Sequence, residues 1–308
     1  MDDLATTSDL APRRARSMAE MGALFATLFE RDAIRATIEG FRPRPTDVII
    51  SPFAKCGTTW LQQTFHCLRT RGDMDFDDIS RVVPWIETAS VIGFDLQAAQ
   101  RGEPRGFKSH LPYDQLPRGG RAVVSLRDPK DALVSMYRFM EGWFLEPGAV
   151  TIEEFAVTWL HPREDGSDYW HHLVTWWEQR RNPDVLLFSY PGMSQDPAGH
   201  IRRLAEFCGL QLDDELLALT LRHSSISFML EHKDRFDDAM MRRMSEARCN
   251  LPSGSDSAKV RKGGSGGHTQ ELPAQLSAKL DAMWTERVTP KIGLADFAAV
   301  EAALRAGA

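Results

Sequence analysis

Short apolar runs alternate along this chain with longer stretches in which apolar residues recur every three or four positions. The short runs are rich in β-branched residues and predict strands at residues 48–51, 106–109, 122–126 and 185–189. The longer stretches predict amphipathic helices between these strands. Strands that alternate with helices are typical of a parallel sheet covered on both faces. The pattern therefore predicts an α/β fold with three layers, αβα, around a central parallel sheet.

Residues 1–43 do not follow this alternation. A polar start leads into a helical pattern over about residues 17–38, which Gly40 and Pro43 end. We expect residues 1–43 to form a helical appendage and residues 44–308 to form a single α/β domain. Within that domain residues 231–249 are charged and rich in methionine, which predicts an exposed helix. We expect a lid and a glycine-rich loop within residues 224–268.

Charge and cysteine content narrow the possible partners. The net charge of −6 gives no basic field for nucleic acid, so an anionic ligand would need a local basic pocket. The four cysteines have neither CxxC nor zinc-ligand spacing, which favours free thiols in a reducing compartment. No apolar run approaches the roughly 20 residues of a membrane span, and the acidic start does not resemble a signal peptide. We expect a cytoplasmic protein with a small-molecule partner; its oligomeric state is not predicted.

The most informative segment, residues 47–62, joins the first predicted strand to the following helix. A strand that leads through a short loop into a helix directs unpaired backbone N–H groups at one point, which makes an anion site. Lys55 adds a charge there, and Gly57 allows the backbone to approach the anion closely. The lysine precedes the glycine, unlike in the usual nucleotide loop, Gly-x4-Gly-Lys-Ser/Thr. The expected ligand is a phosphate or sulfate ester.

Polar side chains follow every predicted strand. Lys55 follows the first strand, Lys108 and His110 the second, Arg127 the third and Tyr190 the fourth. Ligands of open α/β sheets bind outside the carboxyl ends of the strands. These five residues therefore predict one shared active site.

The order Lys-x-Gly-Thr-Thr-Trp, from Lys55 to Trp60, resembles the 5′-phosphosulfate loop of sulfotransferases that use 3′-phosphoadenosine 5′-phosphosulfate (PAPS). Three further segments resemble the same family in the same order: residues 107–112, residues 124–135 and the glycine-rich residues 261–267. The resemblance covers residues 44–267. It implies a P-loop-like strand-loop-helix site and a PAPS-dependent sulfotransferase of the cytosolic type, and we expect a bacterial member.

The resemblance also implies which residues bind PAPS or its product, 3′-phosphoadenosine 5′-phosphate (PAP). The implied donor-binding residues are Lys55, Cys56, Gly57, Thr58, Thr59, Trp60, Arg127, Ser135, Tyr190, Ser224, Arg261, Lys262 and Gly263. By it, Trp60 would stack on adenine, and Arg127 with Ser135 would hold the 3′-phosphate. The family continues its glycine-rich segment with Asp-Trp, where this chain has Gly267-His268. A flexible linker is the alternative for that segment.

The implied catalytic residues are His110, Lys55 and Lys108, and no metal is required. His110 would be the general base for the acceptor, because an unperturbed histidine has a pKa of about 6.5. The acceptor would be a hydroxyl, or an amine, on a small, largely apolar molecule or a glycolipid. Four aromatic residues either line the acceptor pocket or belong to the core: Trp85, Phe139, Trp143 and Phe144.

Three hypotheses remain open on the sequence alone. The first is an ATP-dependent phosphotransferase, which would need the Gly-Lys-Ser/Thr ending that the loop lacks. The second is a non-catalytic sensor of 3′-phosphoadenosine nucleotides, which would need no base at His110. The third concerns Cys56, which stands where the family has serine: it is either a reactive thiol with a lowered pKa at a helix N-terminus or a small buried side chain.

Overall fold

The computed structural model describes residues 11–254, 259–260, 264 and 266–307. Its strands are β1 (Val48–Ile50), β2 (Gly106–Lys108), β3 (Arg121–Leu126) and β4 (Val185–Ser189). The α-helices are α1 (Met18–Leu28), α2 (Arg31–Gly40), α3 (Thr58–Thr70), α4 (Ile79–Val82), α5 (Ala89–Ile92), α6 (Pro129–Glu141), α7 (Ile152–Leu160), α8 (Tyr169–Glu178), α9 (Tyr190–Gln195), α10 (Pro197–Cys208), α11 (Asp214–His223), α12 (Ile226–Glu231), α13 (Ala239–Cys249), α14 (His268–Glu271), α15 (Ala274–Arg287), α16 (Thr289–Ile292) and α17 (Phe297–Arg305). Short 3-10 helices cover Ile86–Thr88, Tyr113–Gln115 and Lys233–Arg235.

The four strands form one parallel sheet in the order β2-β1-β3-β4. In the centre of this sheet, Ile49 pairs with Phe107 on one side and with Ala122 on the other. The chain leaves β1 for one neighbour and later returns to the other. A crevice at the carboxyl end of β1 is where such a sheet binds ligands. The predicted parallel sheet is confirmed.

Side chains of β1 alternate between two cores, because successive residues of a strand point to opposite faces. Ile49 packs into a core that includes Trp176 of α8, whereas Val48 and Ile50 pack into a second core with Phe65 of α3. Both faces of the sheet are therefore covered, as predicted.

A buried ion pair joins the segments that lead into β1 and β2. Arg105 Nη2 lies 2.6 Å from Asp47 Oδ2, and Arg105 Nε donates to Asp47 Oδ1 over 3.0 Å. Both side chains are fully buried. Because Asp47 precedes β1 and Arg105 precedes β2, the pair fixes these strands at the end opposite to the crevice.

The N-terminal helical pattern is divided into α1 and α2, with a break at Phe29 and Glu30. The Ser17 side chain caps α1. Leu28 and Phe41 are buried, and Phe25 stacks on Phe144 with ring centroids 4.7 Å apart. Residues 11–43 thus pack closely against the rest of the molecule.

The helix predicted to be exposed, α13, is only half exposed. Met241, Ser245 and Cys249 are spaced by one helical turn and are buried, and α13 packs on α1. Arg243 and Arg248 lie on the exposed face. The expectation of an exposed helix is therefore wrong for one face. The many charged residues of this segment made the regular spacing of its buried residues hard to recognise in the sequence. No helix in the described residues is long and apolar enough to cross a membrane.

Candidate active site

At one position of the loop between β1 and α3, the backbone conformation and the close neighbours allow only glycine. Gly57 has φ 101° and forms the N-cap of α3. A Cβ atom there would lie 2.9 Å from Tyr190 Cδ2 and 3.0 Å from Ser125 Oγ. Lys55 also has a positive φ of 67°, which is uncommon for a side-chain-bearing residue. The loop therefore curls tightly and leaves the first N–H groups of α3 without partners inside the helix.

Residues at the end of β3 form hydrogen bonds to the backbone of this loop. The Ser125 hydroxyl donates to the carbonyl oxygen of Cys56, and Arg127 Nη1 donates to the carbonyl oxygen of Lys55 over 2.8 Å. The N–H of Cys56 donates to the carbonyl oxygen of Phe53 over 3.0 Å. The end of β3 thus determines the shape of the loop after β1.

Three buried polar atoms near the loop have no hydrogen-bond partner among the described residues: Thr58 Oγ1, Trp60 Nε1 and Arg127 Nε. Buried polar groups are almost always hydrogen-bonded in folded proteins, so three unpartnered donors together indicate a ligand site. A hydroxyl, an indole N–H and a guanidinium N–H suit a ligand rich in anionic oxygens. The residues present therefore fit a nucleotide that carries phosphate and sulfate groups.

Tyr190 brings several predicted residues together. Its ring lies edge-on to Trp60, with centroids 5.8 Å apart, and the Arg127 guanidinium lies 4.5 Å from its centroid. The same ring closes over Gly57. The structure therefore gathers the ends of β1, β3 and β4 at one point, as their polar residues predict.

The other residues predicted to bind PAPS lie in several different elements. Thr59 lies in the first turn of α3, and Ser135 lies two turns into α6, whose N-terminus is capped by Asp128. Ser224 is buried at the end of α11, and its hydroxyl donates to the carbonyl oxygen of Thr220 over 2.7 Å. Arg261, Lys262 and Gly263 lie outside the described residues.

The described part of the glycine-rich segment is fixed to α6 by Asp131, a residue that the sequence interpretation missed. Asp131 accepts hydrogen bonds from the N–H of Gly266 over 2.8 Å and from His268 Nδ1 over 2.8 Å. Burial favours a higher pKa for Asp131, but the hydrogen bonds from Gly266 and His268 hold that pKa below its usual value. Gly264 accepts from Arg127 Nη2 over 3.2 Å. His268, at which the chain departs from the family pattern, thus anchors this segment beside Arg127.

Two lysines of the site rest against aromatic rings. Lys55 Nζ lies 4.0 Å from the centroid of Phe139, and Lys108 Nζ lies 3.8 Å from that of Trp85. Burial lowers the pKa of Lys55 to about 7, and the nearby Lys259 ammonium lowers it too. Burial likewise lowers the pKa of Lys108 to about 8. Both lysines therefore titrate near neutral pH.

Asp238, a buried carboxylate that the sequence analysis did not select, lies among these lysines. Asp238 Oδ1 is 2.6 Å from Lys259 Nζ and 3.9 Å from Lys108 Nζ. Burial alone would raise the pKa of Asp238, but the ammonium groups of Lys108 and Lys259 hold that pKa well below its usual range. Asp238 is about 130 residues from Lys108 in the chain, so no local pattern connects them.

The surroundings of His110 determine its tautomer. Nδ1 lies 2.8 Å from the carbonyl oxygen of Pro52, which can only accept, so Nδ1 carries the proton and Nε2 has a free lone pair. The backbone N–H of His110 donates to Glu87 Oε1 over 2.6 Å, and the ring lies edge-on to Trp85. Burial, with the nearby Lys108 ammonium, lowers the pKa of His110 well below its usual value. At neutral pH the side chain is therefore a neutral proton acceptor.

The reactive-thiol hypothesis for Cys56 is wrong. Its side chain is 1 % exposed, and burial raises the pKa of Cys56 to about 12. The charges of Arg127 and Lys55 oppose this rise but are outweighed by the loss of solvation. Cys56 is instead a small buried side chain.

The four aromatic residues considered for the acceptor pocket divide into two pairs. Trp143 and Phe144 are buried, and Trp143 Nε1 donates to Ser245 Oγ over 2.8 Å. Trp85 and Phe139 are partly exposed; Trp85 contacts Lys108, and Phe139 contacts Lys55. Trp143 and Phe144 thus belong to the core, whereas Trp85 and Phe139 lie at the candidate active site.

Residues 45–291 match the family described as "Sulfotransferase domain". The chain belongs to the sulfotransferase family. Its relatives include mouse "Sulfotransferase 1 family member D1", with 28 % identity over 67 % of this chain and 73 % of the relative. Another is "Luciferin sulfotransferase" of Photinus pyralis, with 25 % identity over 81 % of this chain and 73 % of the relative.

Solved structures of the sulfotransferase fold resemble this chain as well. A retinol dehydratase in complex with androsterone and inactive cofactor PAP has a TM-score of 0.67 and 17 % identity, and the match covers 90 % of this chain and 95 % of that one. The family membership confirms the predicted enzyme class, a PAPS-dependent sulfotransferase, and its donor. The phosphotransferase and sensor hypotheses are therefore set aside.

Proposed function

We propose that this sulfotransferase transfers the sulfuryl group of PAPS to a hydroxyl, or to an amine, of a small, largely apolar or glycolipid acceptor, with His110 as the general base. The hydrogen bond between His110 Nδ1 and the carbonyl oxygen of Pro52 carries this proposal, because it leaves Nε2 unprotonated. The lowered pKa of His110 supports the same role, since the side chain is neutral at neutral pH.

We assign the donor to the loop after β1 and the residues around it. Lys55, the first N–H groups of α3 and the Thr58 hydroxyl would hold the 5′-phosphosulfate, and Trp60 would stack on adenine. The remaining donor contacts would come from Cys56, Gly57, Thr59, Arg127, Ser135, Tyr190, Ser224, Arg261, Lys262 and Gly263. The contact of Arg127 with Gly264, and that of Asp131 with Gly266, support the proposal that residues 224–268 cover the donor within one domain of residues 44–308.

The donor supplies an activated sulfuryl group on a good leaving group. His110 Nε2 would accept the proton of the acceptor hydroxyl as the new S–O bond forms. Lys55 and the N-terminus of α3 would stabilise the negative charge that develops on the leaving phosphate oxygen. Lys108, which is also buried beside Trp85, would stabilise the sulfuryl oxygens. Positioning and electrostatics do most of this work.

The partly exposed rings of Trp85 and Phe139 support an apolar acceptor, because they lie beside the catalytic lysines. The four free, buried cysteines support a cytoplasmic location, where thiols stay reduced.

Calorimetric titration with PAP, in the absence of magnesium and in parallel with magnesium-ATP, tests the donor site. Tight PAP binding that is lost in Arg127→Ala would support it, whereas a preference for magnesium-ATP would overturn it. Transfer of radioactive sulfate from PAPS to phenols, sterols, lipid alcohols and glycolipids then identifies the acceptor. His110→Ala should bind PAP but lose transfer; retained transfer would remove His110 from its role as base.

A further inference from the structure

Three lysines from separate segments gather around the carboxylate of Asp238, which belongs to a fourth segment. Asp238 immediately precedes α13; Lys108 ends β2; Lys55 lies in the loop after β1; and Lys259 precedes the glycine-rich segment. Asp238 Oδ1 lies 2.6 Å from Lys259 Nζ and 3.9 Å from Lys108 Nζ. Val260, next to Lys259, packs against the second core, which fixes the chain at this point.

These charges depend on one another because they are buried. Asp238 is 3 % exposed and the side chain of Lys259 is 8 % exposed. A buried ammonium without a counterion tends to lose its proton, and several buried ammonium groups repel one another. Asp238 forms ion pairs with two of these three lysines, Lys108 and Lys259. Glu87 and Asp78 also act on Lys108, and Arg127 acts on Lys55.

Asp238 and Lys259 have opposite effects on the two lysines assigned to catalysis. Asp238 raises the pKa of both Lys55 and Lys108, in each case against the larger effect of burial, and Lys259 lowers the pKa of both. Asp238 also has a left-handed backbone, with φ 48° and ψ 45°. Such a conformation is unfavourable for most residues and is tolerated best by glycine, asparagine and aspartate. Strained residues of this kind cluster at functional sites.

We propose that Asp238 is a positioning residue of the donor site, which holds Lys108 and Lys259 in place and keeps the lysines charged, and that Lys259 is a further donor-binding cation. This inference rests on the proposed donor site. Lys259 would contribute to the binding of the sulfuryl or phosphate oxygens, because its ammonium reaches the same cluster as Lys55 and Lys108. A third lysine at this point would extend the basic pocket that an anionic donor requires.

The test is calorimetric titration with PAPS, without acceptor, between pH 6 and 8.5 in two buffers of different ionisation enthalpy. Asp238→Asn keeps the left-handed backbone, because asparagine tolerates it. We expect its PAPS affinity to be close to that of the wild type at pH 6 and about tenfold weaker at pH 8, because its lysines lose their protons at lower pH. We also expect this variant to take up more protons on binding.

Lys259→Met should change the pH dependence in the opposite direction. We expect PAPS affinity to fall about tenfold at pH 6, through loss of one charge. As the pH rises, we also expect the PAPS affinity of Lys259→Met to begin its further decline at a higher pH than that of the wild type. The reason is that Lys259 lowers the pKa of Lys55 and Lys108. Lys259→Arg should restore most of the affinity. Lys279→Met, at an exposed position on α15, is the matched control and should bind as the wild type does.

The outcomes separate this inference from the donor site on which it rests. A wild type that does not bind PAPS would overturn the donor site itself. Wild-type binding together with an unchanged pH dependence in Asp238→Asn would leave the donor site intact and overturn the role of Asp238. Unchanged affinity in Lys259→Met would overturn the role of Lys259. If Asp238→Asn does not fold, the direction of the Lys259→Met pH shift decides whether the charges of the cluster are coupled.

Discussion

Arg127 donates a hydrogen bond from Nη1 to the main-chain carbonyl oxygen of Lys55 over 2.8 Å. The same guanidinium donates from Nη2 to the carbonyl oxygen of Gly264 over 3.2 Å. The residue expected to bind the 3′-phosphate therefore also holds the backbone of the loop expected to bind the 5′-phosphosulfate. A change at Arg127 should affect both ends of the donor, beyond the loss of one charge.

Arg127→Lys keeps the positive charge but removes the forked donor geometry that reaches two carbonyl oxygens. We expect PAP affinity to fall about a hundredfold, or about 2.7 kcal/mol, because charge-assisted hydrogen bonds and the fixed loop are lost together. Calorimetric titration with PAP measures this change. Arg305→Lys, at a largely exposed position, is the control and should bind PAP normally. Wild-type affinity in Arg127→Lys would show that charge alone suffices.

The strands and most of the site follow from the sequence because the signals are local. The β-branched runs at β1 to β4 and the polar residue after each strand are short-range patterns, and the sheet brings their ends together. Asp131 and Asp238 could not be predicted, since each acquires its partners only through contacts between distant segments. The two hypotheses for Cys56 could not be separated for a related reason: its position at a helix N-terminus is visible in the sequence, but the depth of its burial is not.

The pH dependence of kcat/KM for PAPS should reflect groups with lowered pKa values. Because the pKa of His110 lies well below its usual value, this base stays neutral down to about pH 6.5 and causes no loss of rate above it. Lys55 and Lys108 have pKa values of about 7 and about 8, so their charges are lost as the pH rises through this range. We expect kcat/KM to be highest near pH 6.5 and to decline as the pH rises through about 7 and about 8, where Lys55 and Lys108 lose their charges. A steep fall on acidification from pH 7.5 to 6.5 would argue against a neutral His110.

His110→Ala should lower kcat at least about a hundredfold, the usual contribution of general base catalysis. PAP affinity should stay within about threefold of the wild type, because in the proposed mechanism Nε2 of His110 acts on the acceptor and Nδ1 is bonded to the carbonyl oxygen of Pro52. Steady-state kinetics and PAP titration measure the two quantities. His171→Ala is the control, since His171 pairs with Asp114 at the surface. A small loss of kcat in His110→Ala would exclude His110 as the base.

Gly57→Ala should weaken both the fold and donor binding. The new Cβ would lie 2.9 Å from the Tyr190 ring, and the φ of 101° is unfavourable for alanine. We expect the free energy of unfolding to fall by about 1–3 kcal/mol, measured by urea denaturation. Gly22→Ala is the matched control, because Gly22 lies at an exposed position of α1 with open space around it. That control should gain about 0.5–1 kcal/mol through its better helix propensity.

The Asp47–Arg105 pair should dominate the stability of the sheet end away from the active site. Asp47→Ala leaves the fully buried Arg105 charge without a counterion and should lower the free energy of unfolding by about 3–5 kcal/mol. The double variant Asp47→Leu/Arg105→Met should be more stable than the single variant, since no buried charge remains. Arg13→Ala removes an exposed pair with Glu20 and should lower the free energy of unfolding far less than Asp47→Ala does. Urea denaturation of the four proteins tests this order.

The native protein should resist thiol reagents, and Cys56 should be among its least reactive cysteines. All four cysteines are free and buried, and burial raises the pKa of Cys56 to about 12. Since the thiolate is the reactive form, at pH 7.5 we expect Cys56 to react with iodoacetamide at least about a hundredfold more slowly in native than in urea-unfolded protein. Mass spectrometry of labelled peptides measures each rate. Rapid native labelling of Cys56 that PAP suppresses would instead require an exposed thiolate within the donor site, whereas the side chain of Cys56 is 1 % exposed.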